Sequence, residues 1–395
     1  MNASSKVPIG QLVNFIGGGT PSRQNADYYG GSIPWVTPKD MKRWDITDAQ
    51  VRITEQGLQN SAARMAPEGA VLVVVRSGVL KHTLPVGIAK VPVAINQDMK
   101  ALICSPDINS DYLAHYIKYK SPEILGWVRA TTADNFPVDK LKHLKIPLPA
   151  LKEQQRIAEI LDEADALRAA RRSTIQTLDS LEESAFVEYF GNPERNPGEW
   201  PLENLATVLQ IPLRNGLSPS STGMIEGRVL TLSAITGRAF NQGSTKAAKF
   251  NETPSKNHLV DARDFLICRG NGNLDLVGRG AFPSESMPDT TFPDTAIAAR
   301  VRPDKLLPSF MQRIWHSRLV RRQIEVSART TNGTFKVNQG ALEKIEIVIP
   351  PLERQEAFSR YAVHLSEVRQ VQQEQLSELE ALFEALRDRA FRGEL

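Results

Sequence analysis

Arginine, lysine and asparagine recur in the glycine-bearing turns of this chain, a set suited to grasping a polyanion. Base readout in a duplex needs Arg or Lys for guanine, Asn or Gln for adenine, and further donors for phosphate. The first third of the chain places Arg23, Gln24, Lys39, Lys42, Arg43, Arg76, Lys81 and His82 in such turns. The later part offers Arg214, Asn215, Arg238, Arg269, Asn271, Asn273, Arg279 and Lys336. Within that set the segment RGNGNLDLVGRG from Arg269 stands out, because its glycines let backbone approach a duplex while Arg and Asn supply base-edge groups. Arg76, in VRSGVLKH, holds the matching place in the first half. Two threonine pairs, Thr131–Thr132 and Thr330–Thr331, precede an aromatic in both halves; phosphate contact and turn capping suit Thr132 and Thr331 equally. Trp35 and Trp44 fit a core better than a sugar platform.

Bond-making chemistry finds no matching constellation. Phe15–Gly19 fits the F-x-G-x-G of adenosylmethionine-binding loops, yet Pro21 follows where a helix should begin and no N/D-P-P-Y/F motif occurs. Asp162–Asp165 spells a helicase tetrapeptide without any G-x-x-x-x-G-K-S/T loop, and Gly270–Gly272 lacks the third glycine of a dinucleotide turn. Neither the six histidines nor Cys104 and Cys268 show metal or disulfide spacing. The expectation is a chain with no catalytic residue, metal or cofactor of its own. No window approaches the run of about 18 apolar residues that spans a bilayer, and the polar start lacks a signal peptide's apolar core. A cytoplasmic location without membrane contact is expected.

The elements that must position these residues are written twice. LKHLKIPLPALKEQQ from Leu141 and LEKIEIVIPPLERQE from Leu342 share an offset of 201, which pairs Ile146 with Ile347, Pro149 with Pro350 and Gln154 with Gln355. In each copy, period-two alternation (Leu144, Ile146, Leu148; Ile345, Ile347, Ile349) predicts a half-buried strand closed by proline. A run of helix formers follows for roughly 40 residues, about 60 Å long. Upstream, GAVLVVVRSG from Gly69 parallels ARDFLICRGN from Ala262, and TTADNFPV from Thr131 parallels TTNGTFKV from Thr330. Short apolar strands broken by Gly, Pro, Asn and Asp dominate there, with one helix predicted near Asp111–Val128 and another near Pro308–Val326. The fold class expected is α+β: two β-rich mixed domains, at 1–150 and 192–351, each followed by a long helix, at 151–191 and 352–395.

Both helical runs follow a heptad. Ile157, Ile160, Ala164, Leu167, Leu178, Leu181 and Ala185 mark the seam of the first. Phe358, Tyr361, Leu365, Val368, Leu379, Leu382 and Leu386 mark that of the second. Polar breaks at Arg171 and Thr174 and at Gln372 and Gln375 would meet at the middle of an antiparallel pair and fix its register about a pseudo-two-fold axis. Separate packing of each helix on its own domain is the alternative. Net charge is only +3, but the segments 151–190 and 352–395 carry −4 and −3, which leaves +10 on the remainder. Acidic helices beside basic globular parts are what a phosphate-binding role for the latter requires.

The order β-rich domain, strand ending in I-P-L-P or V-I-P-P, L-x-x-Q and long helix, all repeated, resembles the specificity subunits of type I restriction-modification enzymes. Its most specific elements are the junctions Lys145–Gln155 and Glu346–Glu356, the GGGTPS turn at Gly17 and the restart GEWPLENLATVL at Gly198. The resemblance implies two target-recognition domains, each reading half of a split, asymmetric sequence in double-stranded DNA. It implies that the helices form a coiled coil that sets the gap and docks two methyltransferase subunits, with restriction-translocase subunits joining the full complex. S-adenosylmethionine, Mg and ATP would belong to those partners. Two readers on one face of a duplex engage major grooves about 34–36 Å apart. A coiled-coil scaffold that binds only protein, or a divergent DNA methyltransferase or nuclease, are the competing readings.

Overall fold

The structure is a computed structural model that describes residues 5–129, 134–237, 239–331 and 333–395. The chain divides into two compact bodies: residues 1–172 with 374–395, and residues 173–373. Each body therefore holds one β-rich domain, the start of that domain's own long helix, and the end of the other long helix. Among the described residues, no helix is long and apolar enough to cross a membrane.

In the first body the all-apolar run Val71–Val74 is buried on both faces and forms the middle of a five-stranded sheet. The order is Val13–Gly17, Met99–Cys104, Val71–Val74, Val86–Ala89, Asp45–Ile46. A second sheet runs Arg52–Ile53, Tyr29–Val36, Val93–Ile95, Arg64–Ala66, with Tyr29–Val36 and Val93–Ile95 parallel. The GGGTPS turn is a packing device. A β-carbon on Gly18 would sit 1.9 Å from the Ile95 carbonyl oxygen, and Trp35, buried, donates its indole N–H to the Gly19 carbonyl at 3.0 Å.

The second body repeats both strand orders, except that its first sheet has no counterpart of the edge strand Asp45–Ile46. Arg214–Asn215, Ala296–Ala299, Phe265–Cys268 and Gly280–Ala281 form one sheet. Thr245–Phe250, Ile225–Leu230, Met287–Thr291 and Leu259–Val260 form the other, again with its inner pair parallel. Where one domain helix was expected, each body has two. Ser110–Tyr119 and Ser121–Leu125 are separated at Lys120, just before Pro122, and Pro308–Trp315 and Arg318–Ser327 are separated at Ser317, whose hydroxyl caps the second by accepting the Val320 N–H.

The junction strands Lys145–Pro147 and Glu346–Val348 each pair with the first strand of their domain, Lys6–Pro8 and Leu202–Asn204. The long helices are Leu151–Phe190 and Leu352–Arg392. The glutamine of the L-x-x-Q motif proves to be the clamp between helix and domain. Fully buried Gln154 accepts the Asn109 N–H at 2.9 Å and donates to the carbonyls of Asp107 (3.0 Å) and Pro149 (2.9 Å). Gln355 makes the same three bonds to Leu307, Lys305 and Pro350.

Within each body the two helix segments run antiparallel. In the first, the Arg168 guanidinium lies 4.2 Å from the Phe383 ring centre and Arg172 pairs with Glu380 at 2.6 Å. In the second, Arg369 bonds Glu182 (2.6 Å) and Asp179 (3.2 Å), and Phe186 packs edge-on against Phe358. Helix ends then seal the domains. Phe391 packs on Tyr112, Tyr116 and Tyr119, and its counterpart at offset 201, Phe190, packs on Phe310.

This register corrects the seam. Ile157, Leu178, Phe358 and Leu365 are buried in it, and Ile160, Tyr361, Val368 and Leu379 are half-buried. Leu161, Arg168, Glu182 and Phe383 take the places expected of Ile160, Leu167, Leu181 and Leu382. Leu167, Leu181 and Leu382 are 59%, 44% and 53% exposed. Arg171 neighbours the Arg172–Glu380 pair, and Gln372 follows Arg369 one turn on, so each polar break lies beside an acidic turn of the facing segment.

Candidate nucleic-acid interface

In the first body, Lys39, Lys42 and Arg43 stand exposed on the loop between Val36 and Asp45. Asp40 braces that loop, accepting the N–H groups of Thr37 and Gln50, both at 2.8 Å. Arg23 is exposed in the turn after Gly19, and Lys81 and His82 are exposed around a short turn that Ser77 caps. Lys81 reaches Asp134 at 3.8 Å. Arg76 follows the central strand with its side chain half exposed, its Nε donating to an Asp98 carboxylate oxygen at 2.6 Å. Thr132 and Arg238 fall outside the described residues, and Thr331 ends the strand Arg329–Thr331.

The second body reassigns several candidates. Arg214 is only 15% exposed and pairs with the fully buried Asp264 at 2.5 Å, while Arg300 bonds the same carboxylate at 2.8 Å and reaches Asp261 at 2.8 Å. That network is a core fixture, so the Arg214 side chain is committed to the fold. The Arg263 guanidinium beside Asp261 holds its carboxyl well below the usual carboxylate range, with the neighbouring Arg300 charge adding to the effect. In RGNGNLDLVGRG the polar groups largely serve their own turn. Asn271 accepts the Asn273 N–H, Asn273 accepts the Asp275 N–H, and Arg279 donates to the carbonyls of Asp275 and Thr236. Arg269 donates to the Asp294 carbonyl at 3.3 Å. Burial pushes the Cys104 thiol up to about 12 and the Cys268 thiol to about 11, so neither is a reactive group.

Two stretches matched separately in the sequence meet in space. In the second body Gly270–Asn271, Thr334–Lys336 and Arg329–Thr331 form a three-stranded antiparallel ribbon. Thr331 pairs with Thr334, and Gly333 has φ of 75°, the left-handed value that a two-residue hairpin turn requires. Phe335 packs on the core, so the row Gly270–Lys336–Arg329 faces away from it. Lys336 and Arg329 are exposed. In the first body Asn135 bridges Arg76 on one side and Arg129 on the other, while the next residue, Phe136, is buried.

The equivalence is firm and shifts the expected pairing by one residue. Phe136 N–H donates to Val75, and Val337 N–H donates to Arg269. Row Arg76–Asn135–Arg129 thus corresponds to row Gly270–Lys336–Arg329, and Arg76 does not correspond to Arg269. Asn135 enters the row through its pairing with Arg76, 59 residues away, and Arg129 and Arg329 enter only as the hairpin partners of Asn135 and Lys336, neither of which turn composition carries.

Two bodies of closely similar topology, each a pair of sheets with an outward basic row and a long helix held by a buried glutamine, define a duplicated protein of two like domains. A family model described as the type I restriction modification DNA specificity domain matches residues 2–178. The chain is 40% identical over 162 residues to the type I restriction enzyme EcoR124I/EcoR124II specificity subunit of Escherichia coli, an alignment spanning 40% of each chain. To the EcoKI specificity subunit of Escherichia coli K12 it is 22% identical over 98% of this chain and 88% of that one. The solved structure of the type I restriction-modification S subunit from M. genitalium shares the fold over 99% of this chain and 97% of its own, with a TM-score of 0.59 at 14% identity.

Proposed function

We propose that the chain is the DNA sequence-specificity subunit of a type I restriction-modification complex, each body reading one half of a split, asymmetric site. One observation carries this reading. The two bodies share the order of four strands in each sheet and the same glutamine clamp, while their outward rows differ: Arg76, Asn135 and Arg129 against Gly270, Lys336 and Arg329. Equal scaffolds with unequal faces suit two unlike half-sites. The long helices, 40 and 41 residues, act as a ruler for the unread gap.

The same helices dock two methyltransferase subunits. Residues that precede seam partners in an antiparallel pair lie on one side of it, so exposed Leu167 and Leu382 form one apolar patch in the first body. Leu181 and Val368 form its counterpart at offset 201 in the second. A duplicated patch calls for two copies of one partner. Methyl transfer, cleavage and translocation, with their S-adenosylmethionine, Mg and ATP, reside in the partner subunits. The test is genome-wide methylation mapping in a host expressing this chain with its methyltransferase partner. One bipartite motif, absent when either component is omitted, is the expected result. Methylation by this chain alone, or no motif with the partner present, refutes it.

A further inference from the structure

Resting on the reading above, we infer that the ribbon, and not the glycine-rich turn beside it, is the base-reading element of each body. A two-stranded antiparallel ribbon has the width a major groove admits, and the hairpin of Arg329–Thr331 with Thr334–Lys336 is the two-stranded outer part of the three-stranded ribbon in the second body. Here the ribbon is anchored on its inner side, by Phe335 in one body and Phe136 in the other, and its outer side is polar. Arg329 and Lys336 are directly opposite each other across the strands. Like charges in that position destabilise a sheet unless an anion or an electron-rich edge lies between them. No ion pair to either is present among the described residues, whereas the two arginines of the neighbouring turn donate to backbone carbonyls, Arg279 to Asp275 and Thr236 and Arg269 to Asp294.

The chemistry of the two rows then distinguishes the half-sites. The second body offers only cations, Lys336 and Arg329, which suit the O6 and N7 acceptors of guanine. The first sets Asn135, whose amide matches the N6 and N7 edge of adenine, between Arg76 and Arg129. Asp98 fixes the Arg76 guanidinium and acts as a positioning residue for it. One half-sequence is therefore read as guanines, and the other as an adenine flanked by guanines.

The experiment is selection from a randomised duplex library, using the full chain assembled with its methyltransferase partner. Wild-type, Arg329→Gln with Lys336→Gln, and Asn135→Ala are compared, with thermal melts as a folding control. The expected outcome is that the Arg329/Lys336 variant loses guanine preference roughly ten- to a hundred-fold at one or two positions of one half-sequence, leaving the other half unchanged. Asn135→Ala relaxes an adenine in the other half. Should the double variant melt early, the single Lys336→Gln variant carries the test. Unaltered half-sequences in folded variants overturn the ribbon while leaving the bipartite reading intact. An equal loss on every sequence, with a shallower salt dependence, marks phosphate contacts and also overturns it. A wild-type complex that selects no bipartite sequence refutes the underlying function instead.

Discussion

Replacing Gln154 by alanine should loosen the first domain from its helix. The side chain is fully buried and satisfies three backbone groups, the N–H of Asn109 and the carbonyls of Asp107 and Pro149, at 2.9–3.0 Å. Each lost bond costs about 1 kcal/mol net, and more where the orphaned group stays dry, so the sum is about 3 kcal/mol. For a body of roughly 190 residues, that corresponds to a fall in melting temperature of about 6–12 °C. Calorimetry or urea melts measure the global cost, and amide exchange at Asn109 gives a local readout, because its proton is donated to Gln154. Gln154→Glu sharpens the test. A carboxylate can still accept from Asn109 but faces two carbonyl oxygens, which favour its protonated form and raise its folded pKa. The variant's residual stability should therefore be greatest at acid pH and fall as pH rises through that pKa. A loss under about 1 kcal/mol with Asn109 still protected would refute the clamp.

Three further outcomes are expected. Asp264→Ala leaves Arg214 buried without its carboxylate and Arg300 with only Asp261, and should cost the second body about 3–5 kcal/mol in urea melts. Asp261, depressed in the fold, contributes stability that is complete above the unfolded value of 3.8 and lost as pH falls below it, so Asp261→Asn should flatten the acid limb of a pH–stability curve below about pH 4. Leu167→Ser with Leu382→Ser should remove one of two methyltransferase copies by light scattering with no change in melting temperature; loss of both copies, or of neither, counts against a patch in each body. Four residues inserted near Arg172 should change the unread gap and leave both half-sequences alone; a changed half-sequence would sink the ruler.

The long helices, the junction strands and the repeat offset were all readable in the residues, because each rests on local periodicity. The phase of the seam was not. Leucine content pointed to Leu167, Leu181 and Leu382, yet the inward residues at those turns are Arg168, Glu182 and Phe383. An arginine can fill a seam when its stem is covered and its guanidinium lies over a ring, and a glutamate can when Arg369 meets it. Apolar counting sees neither case. The turn from Arg269 misled in the opposite way. Asn271, Asn273 and Arg279 look like base readers by type, but their groups close their own loops, a use that composition shares with recognition.

The offset itself bears on the ribbon proposed as the reader. From Asn135 and Lys336 onward the halves match at 201 without a gap: Phe136 with Val337, Gln154 with Gln355, Phe190 with Phe391. Arg76 and Gly270 differ by 194, so a seven-residue length difference falls between the outer and middle strands of the ribbon, and none falls after the middle strand. The ribbon's middle strand thus lies at one fixed chain distance from the helix clamp in both bodies. A side chain there can change from Asn to Lys without altering where it stands relative to its own helix. A gap set by the helices and a sequence set by the ribbon can then vary independently, which is what a protein that reads two unlike half-sites through one scaffold needs.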